Sequence, residues 1–178
     1  MRHFKYGVSL LVLILYCSAL AQDSLVNNKA FKTYQERGVV VKSFDFDGLE
    51  NYLKPEADTI YIVNFWATWC KPCIEELPYF EQINKEFKSQ KVKVLLVSLD
   101  MAKQVASRLI PFLEKNKITA EVVLLHDLDA DVWINKVDKS WSGALPATLI
   151  YNTEKKIFFE QSFTYTTLLE QLTPFLKS

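Results

Sequence analysis

Two cysteines stand two residues apart in Trp69-Cys70-Lys71-Pro72-Cys73, directly after the apolar run Ile60-Tyr61-Ile62-Val63-Asn64-Phe65-Trp66. One turn can hold both sulfurs close, and the pattern changes here from buried strand to helix. The first N–H groups of a helix and its partial positive charge favour a thiolate, which is the nucleophile of disulfide exchange. A redox-active dithiol is therefore the leading chemistry. The same spacing fits half of a zinc site or an inert structural disulfide. Zinc requires two further Cys or His ligands, and besides this pair the chain offers only Cys17, His3 and His126. A disulfide across so short a loop removes little entropy from the unfolded chain.

A carboxylate belongs with the pair. Cys73, Glu76, Phe80, Ile83 and Phe87 follow one another at spacings of three, four, three and four, which is one face of a helix. Glu76 thus takes a core position, while Glu75 lies about 100° off the stripe and faces water. Desolvation raises the pKa of a buried carboxyl, and a group titrating nearer neutrality one turn from Cys73 can give or take the proton that thiol exchange needs. The competing reading has Glu76 reaching the surface or pairing with Lys71 or Lys85. Pro78 removes the bond to the Ile74 carbonyl and predicts an irregular helix start.

The chain begins with Arg2, His3 and Lys5, an uncharged stretch from Tyr6 to Leu20, and Ala19-Leu20-Ala21 before Gln22. These are the three parts of a secretory signal over residues 1–21. The stretch is short against the ~20 residues of a membrane span, although an uncleaved anchor is the alternative. A lipidated Cys17 is disfavoured by bulky Tyr16 before it. Removal of the signal takes Cys17 and leaves Cys70 and Cys73 as the only cysteines of the mature chain. Arg2 and Lys5 leave while no acid does, so 21 basic against 21 acidic residues becomes an excess of two acids. No dense Lys/Arg run remains, which argues against nucleic acid as a partner. Roughly 155 residues suit one domain with a full core: an N-terminal extension over 22–38, then a domain over 39–178.

Strands are expected at Val39 to Phe44, Thr59 to Trp66, Val92 to Leu99 and Glu121 to Leu125. Ala147 to Tyr151 and Lys156 to Gln161 flank Asn152-Thr153-Glu154-Lys155 as a hairpin. Helices are expected from Phe46 to Lys54, Cys70 to about Lys88, through Lys136 after a cap at Asp127 or Asp129, and from about Thr166 to Leu176. Ala102, Val105, Ala106, Leu109 and Leu113 recur at helical spacing, with Pro111 marking a kink or a fresh start. This order describes an α/β fold: a central mixed β-sheet flanked by helices on both faces, with an extra helical segment between two central strands. Ligand chemistry in such sheets gathers at the carboxyl ends of strands, where Cys70 falls.

The residues Asn64-Phe65-Trp66-Ala67-Thr68-Trp69-Cys70-Lys71-Pro72-Cys73, Glu76-Leu77-Pro78 and Gly143-Ala144-Leu145-Pro146-Ala147-Thr148 resemble the TlpA/ResA-like branch of the thioredoxin superfamily from about Phe44 onward. The resemblance implies a thioredoxin-like fold, export to the bacterial periplasm and thiol-disulfide exchange with protein substrates. It also implies a cis Pro146 beside the dithiol, where backbone around Leu145 and Pro146 receives an extended substrate segment. A glutamate matching Glu76 belongs to this branch. Cytosolic thioredoxin carries a buried aspartate where this chain has Asn64, which exchanges no proton.

The expected mechanism has Cys70 attack a substrate disulfide and Cys73 resolve the mixed disulfide while Glu76 manages its proton. Lys71 and Pro72 tune the pair, Lys71 by a charge favouring the Cys70 thiolate. Trp69 and Trp141 border the substrate groove, with the alternative that such loop aromatics plug the core. No cofactor or metal is called for; the partners are disulfide-containing or dithiol proteins and an upstream redox partner. Reduction is the direction the resemblance implies, with oxidation as the alternative. A peroxidase of the peroxiredoxin class would resemble a pattern with threonine three residues before the reactive cysteine, where this chain has Ala67. A copper-delivery protein would want wider cysteine spacing and a histidine, for which His126 is the mature candidate. A redox-inert interaction module is the non-enzymatic alternative.

Overall fold

The computed structural model describes residues 30–176. The signal-like segment, with His3 and Cys17, lies outside the described residues. Seven strands form one sheet in the order β1-β2-β5-β4-β3-β6-β7. They are β1 (Lys32–Glu36), β2 (Val39–Phe44), β3 (Ile60–Trp66), β4 (Val92–Ser98), β5 (Glu121–Leu125), β6 (Ala147–Tyr151) and β7 (Lys156–Phe159). The run β2-β5-β4-β3 is parallel, and β1, β6 and β7 are antiparallel to their neighbours. All seven residues of central β3 are buried, which explains its unbroken apolar reading.

Side chains alternate across the sheet, and the helices divide between its faces. Ile60, Ile62 and Trp66 join Leu77, Phe80 and Ile83 of α2 (Lys71–Glu86), Ile110 and Leu113 of α3 (Ile110–Lys115), and Leu168 and Leu172 of α5 (Tyr165–Leu176). Tyr61, Val63 and Phe65 face the other way, against Phe46 and Leu49 of α1 (Phe46–Tyr52) and Trp133 and Val137 of α4 (Ala130–Val137). Asn64 shares its parity with Ile62 and Trp66, so it lies under α2.

Several elements depart from expectation. β1 falls in the stretch read as an extension, joined to β2 through Arg37 (φ 53°) and Gly38 (φ 78°). Two positive φ values are what a two-residue hairpin loop needs. β7 stops at Phe159 rather than Gln161. Asp129 takes the N-cap position of α4 without a side-chain bond. Asp127 instead accepts from the Phe46 N–H at 2.9 Å and the Asp129 N–H at 2.9 Å, so it ties α1 to α4. The segment between β4 and β5 is a 3-10 turn (Ala102–Gln104), a π turn (Val105–Leu109) and α3. Pro111 opens α3, and the Ile110 N–H reaches back five residues to the Val105 carbonyl. α2 runs unbroken through Pro78.

Glu81 fixes the middle of α2 to the start of β5. Its carboxylate accepts from the Thr119 N–H at 2.9 Å, the Thr119 hydroxyl at 2.6 Å and the Ala120 N–H at 2.8 Å. Bonds to a charged acceptor outweigh neutral ones, and truncation leaves two backbone donors without this partner. Glu81→Ala should cost about 2 kcal/mol in urea unfolding of the oxidised protein; a loss under about 0.5 kcal/mol would mean that water replaces the carboxylate there.

Candidate active site

Cys70 is the N-cap residue of α2 and ends a turn closed by its own N–H bonding to the Ala67 carbonyl at 3.1 Å. Cys70 and Cys73 are joined in a disulfide with Cα atoms 5.3 Å apart. Cys73 is fully buried, whereas Cys70 retains 6% exposure. The Cys73 N–H donates to Cys70 Sγ at 3.3 Å. The sulfur thus occupies the place of a capping oxygen, where an orphan helix donor and the helix dipole meet a developing negative charge. Lys71 Nζ lies 3.7 Å from Glu75 Oε1, with both side chains well exposed. Its charge is shared with a solvated carboxylate instead of being directed at Cys70 alone.

Glu76 is 1% exposed. Its Oε1 accepts from Asn64 Nδ2 at 2.9 Å and its Oε2 from the Phe163 N–H at 2.8 Å. Burial is the dominant influence and pushes the carboxyl from an ordinary value of 4.5 to about 7, against the opposing pull of the Phe163 and Asn64 donors. The alternative pairing with Lys71 or Lys85 does not occur. Asn64 Nδ2 donates as well to Thr148 Oγ1 at 3.1 Å, across the β3–β6 pairing that sets these two residues opposite each other. Asn64 Oδ1 has no hydrogen-bond partner among the described residues. Three elements therefore meet at this one carboxyl, α2, β3 and the approach to α5, and β6 joins them through Asn64.

The Leu145–Pro146 peptide is cis. Phe65 pairs with Ala147, so Pro146 reaches the same end of β3 as the Trp69-Cys70 turn. Pro146 is buried, Leu145 half-buried and Trp69 56% exposed. Trp141 corrects the expectation of a groove wall: it is buried against Phe65, Trp133 and Phe158. From there its Nε1 donates to the Ala144 carbonyl at 2.9 Å. Glu160 completes the support of this loop, accepting from the Ser142 N–H at 3.0 Å, the Ala144 N–H at 3.1 Å and the Ser142 hydroxyl. The Ser142 donors hold the Glu160 carboxyl below its usual range. Gly143 takes φ 92°, and a Cβ there would stand 3.2 Å from Ile134 Cδ1. Sequence reasoning assigned no role to Thr148, Phe163 or Glu160: the first two meet partners 84 and 87 residues away, and Glu160 reaches Ser142 and Ala144 from just beyond β7, where no periodicity links them.

Comparison with known proteins agrees with this geometry. The AhpC/TSA family model matches residues 42–159. The thiol-disulfide oxidoreductase ResA of Geobacillus thermodenitrificans is 27% identical over 149 residues, covering 82% of this chain and 80% of the relative. ResA of Geobacillus kaustophilus is 26% identical over 170 residues, covering 94% and 91%. Among solved structures, a thioredoxin-related protein from Neisseria meningitidis serogroup B superposes with a TM-score of 0.60 at 20% identity, over 71% of this chain and 91% of its own, a likeness of fold. With its cysteine pair capping a helix at the carboxyl end of a central strand, the chain belongs to the AhpC/TSA family and is a ResA/TlpA-like thiol-disulfide oxidoreductase of the thioredoxin superfamily.

Proposed function

We propose that the protein is an exported reductase of protein disulfides. Cys70 attacks, Cys73 resolves, and Glu76 takes the proton that Cys73 must lose. The observation that carries this reading is the buried Glu76 carboxyl one turn beyond Cys73, raised to about 7 by desolvation. A base with that pKa is part ionised at neutral pH, where thiol exchange runs. Export is supported by the signal-like order of Arg2 and Lys5, an apolar stretch and Ala19-Leu20-Ala21.

The steps balance within the dithiol. The Cys70 thiolate forms a bond to one substrate sulfur as the substrate disulfide breaks and the other substrate sulfur leaves as thiolate. Cys73 then passes its proton to the Glu76 carboxylate and attacks Cys70 Sγ, so the second substrate thiolate leaves. The substrate has gained two electrons and the protein holds its disulfide, which an upstream dithiol must reduce. Exposed Trp69 and the Leu145-Pro146 backbone receive the substrate segment in this scheme, and Lys71 and Pro72 tune the pair.

Cys73→Ala should leave a stable mixed disulfide on Cys70 with substrate protein in an extract from which reductants are omitted. Failure to trap any partner through Cys70 would overturn the assignment of roles. Direction is read separately: an equilibrium with glutathione that favours the oxidised form of this protein agrees with a reductant, and one favouring the reduced form contradicts it.

With 5,5′-dithiobis(2-nitrobenzoate), attack by Cys70 releases one chromophore and resolution by Cys73 a second. Glu76→Gln should slow the second release by at least about tenfold and flatten its rise with pH through neutrality; an unchanged second phase would remove Glu76 from the proton path. Stability carries the same signature. The folded oxidised protein binds the Glu76 proton at pH values where the unfolded chain has lost it, so stability falls as pH rises from about 4.5 to about 7. The loss is about 3 kcal/mol at full titration, and Glu76→Gln should abolish this component in urea unfolding curves.

A further inference from the structure

Asp100, just past β4, grips the turn that carries Cys70. It is 3% exposed, and its Oδ2 accepts from the Thr68 N–H at 3.0 Å and the Ser98 hydroxyl at 2.9 Å, while Oδ1 accepts from the Thr68 hydroxyl at 2.5 Å. The Asp100 N–H closes the group by donating to Ser98 Oγ at 3.1 Å. From the π turn of the inserted segment, exposed Arg108 donates from Nη2 to the Thr68 carbonyl at 3.3 Å. All three polar groups of Thr68 are thus held by the chain between β4 and β5.

Thr68 is the first inner residue of the Ala67–Cys70 turn, and Trp69, the second, projects into solvent. A buried network with every member satisfied is stiff, so the turn has little freedom. That matters for the sulfur, because Cys70 Sγ profits from the helix end only while it stays within reach of the Cys73 N–H. Loosening Thr68 would let the sulfur leave that donor and lower the share of thiolate. Arg108 adds a positive charge on the turn itself.

We propose that Asp100 and Arg108 are positioning residues for Cys70, clamping Thr68 from both sides so that the attacking sulfur stays at the α2 N-terminus. The inserted helical segment thereby has a task in the reaction: it brings Arg108 over the active-site turn. The proposal rests on the dithiol reading of Cys70 but needs neither a direction of exchange nor a substrate.

The test is the rate of Cys70 alkylation by iodoacetamide in the reduced full-length protein at pH 7, followed by mass spectrometry, beside urea unfolding of the same samples. Arg108 is exposed, so Arg108→Ala should leave the unfolding midpoint in place and slow alkylation by about fivefold, with Arg108→Lys restoring part of the rate. Asp100→Asn, nearly isosteric, should slow it about as much. Parent-like alkylation rates in both Arg108→Ala and Asp100→Asn, with or without a lower midpoint, would overturn the proposal and leave the clamp a stabilising feature only. A parent Cys70 that itself resists iodoacetamide would overturn the dithiol reading beneath it.

Discussion

A carboxyl group sealed from water must find donors inside the protein or give up its charge, and the arrangement around Glu76 meets that demand halfway. Two donors, Asn64 Nδ2 and the Phe163 N–H, reach its two oxygens. They moderate the cost of burial without cancelling it, so the group titrates near neutrality rather than remaining fixed in either form. Supplying those donors requires β3 to present residue 64 to the α2 face and the chain after β7 to return to the same spot. The sheet order, with β3 between β4 and β6, and the α2–α5 layer over it follow the same requirement.

The reactive pair depends on a second constraint, the start of α2. Cys70 lies where strand becomes helix, and its sulfur takes the first-turn donor that an ordinary cap would take. The neighbouring loops are braced from outside the helix. Asp100 and Arg108 hold the turn before Cys70, while Glu160 and Trp141 hold the loop before Pro146. The two loops lie at the same end of β3, so the surroundings of Cys70, which keeps 6% exposure, are braced from both.

Much of this was legible in the residues because it is periodic. The three-four spacing that placed Glu76 on the core stripe follows from helix geometry, and its 1% exposure bears that out. The face that Asn64 takes was not legible in the same way, because β3 is buried on both faces and reads as an unbroken apolar run. What escaped is what depends on closure of distant chain: Thr148 and Phe163 are separated from their partners by 84 and 87 residues. Lys32-Thr33-Tyr34-Gln35-Glu36 hid a strand because an exposed edge imposes no apolar alternation. Trp141 was misread because an aromatic in a loop carries no mark of which way it faces; here its ring fills the core while its N–H braces the loop.

The central claim is that Glu76 changes protonation near neutral pH beneath the disulfide. Carbon-13 NMR of the Glu76 side-chain carboxyl in the oxidised protein measures it directly, with Glu76→Gln to assign the resonance. A titration midpoint close to 7 agrees with the account. A midpoint at the ordinary 4.5 would contradict it, because so weak a base would draw little of the Cys73 proton near neutral pH.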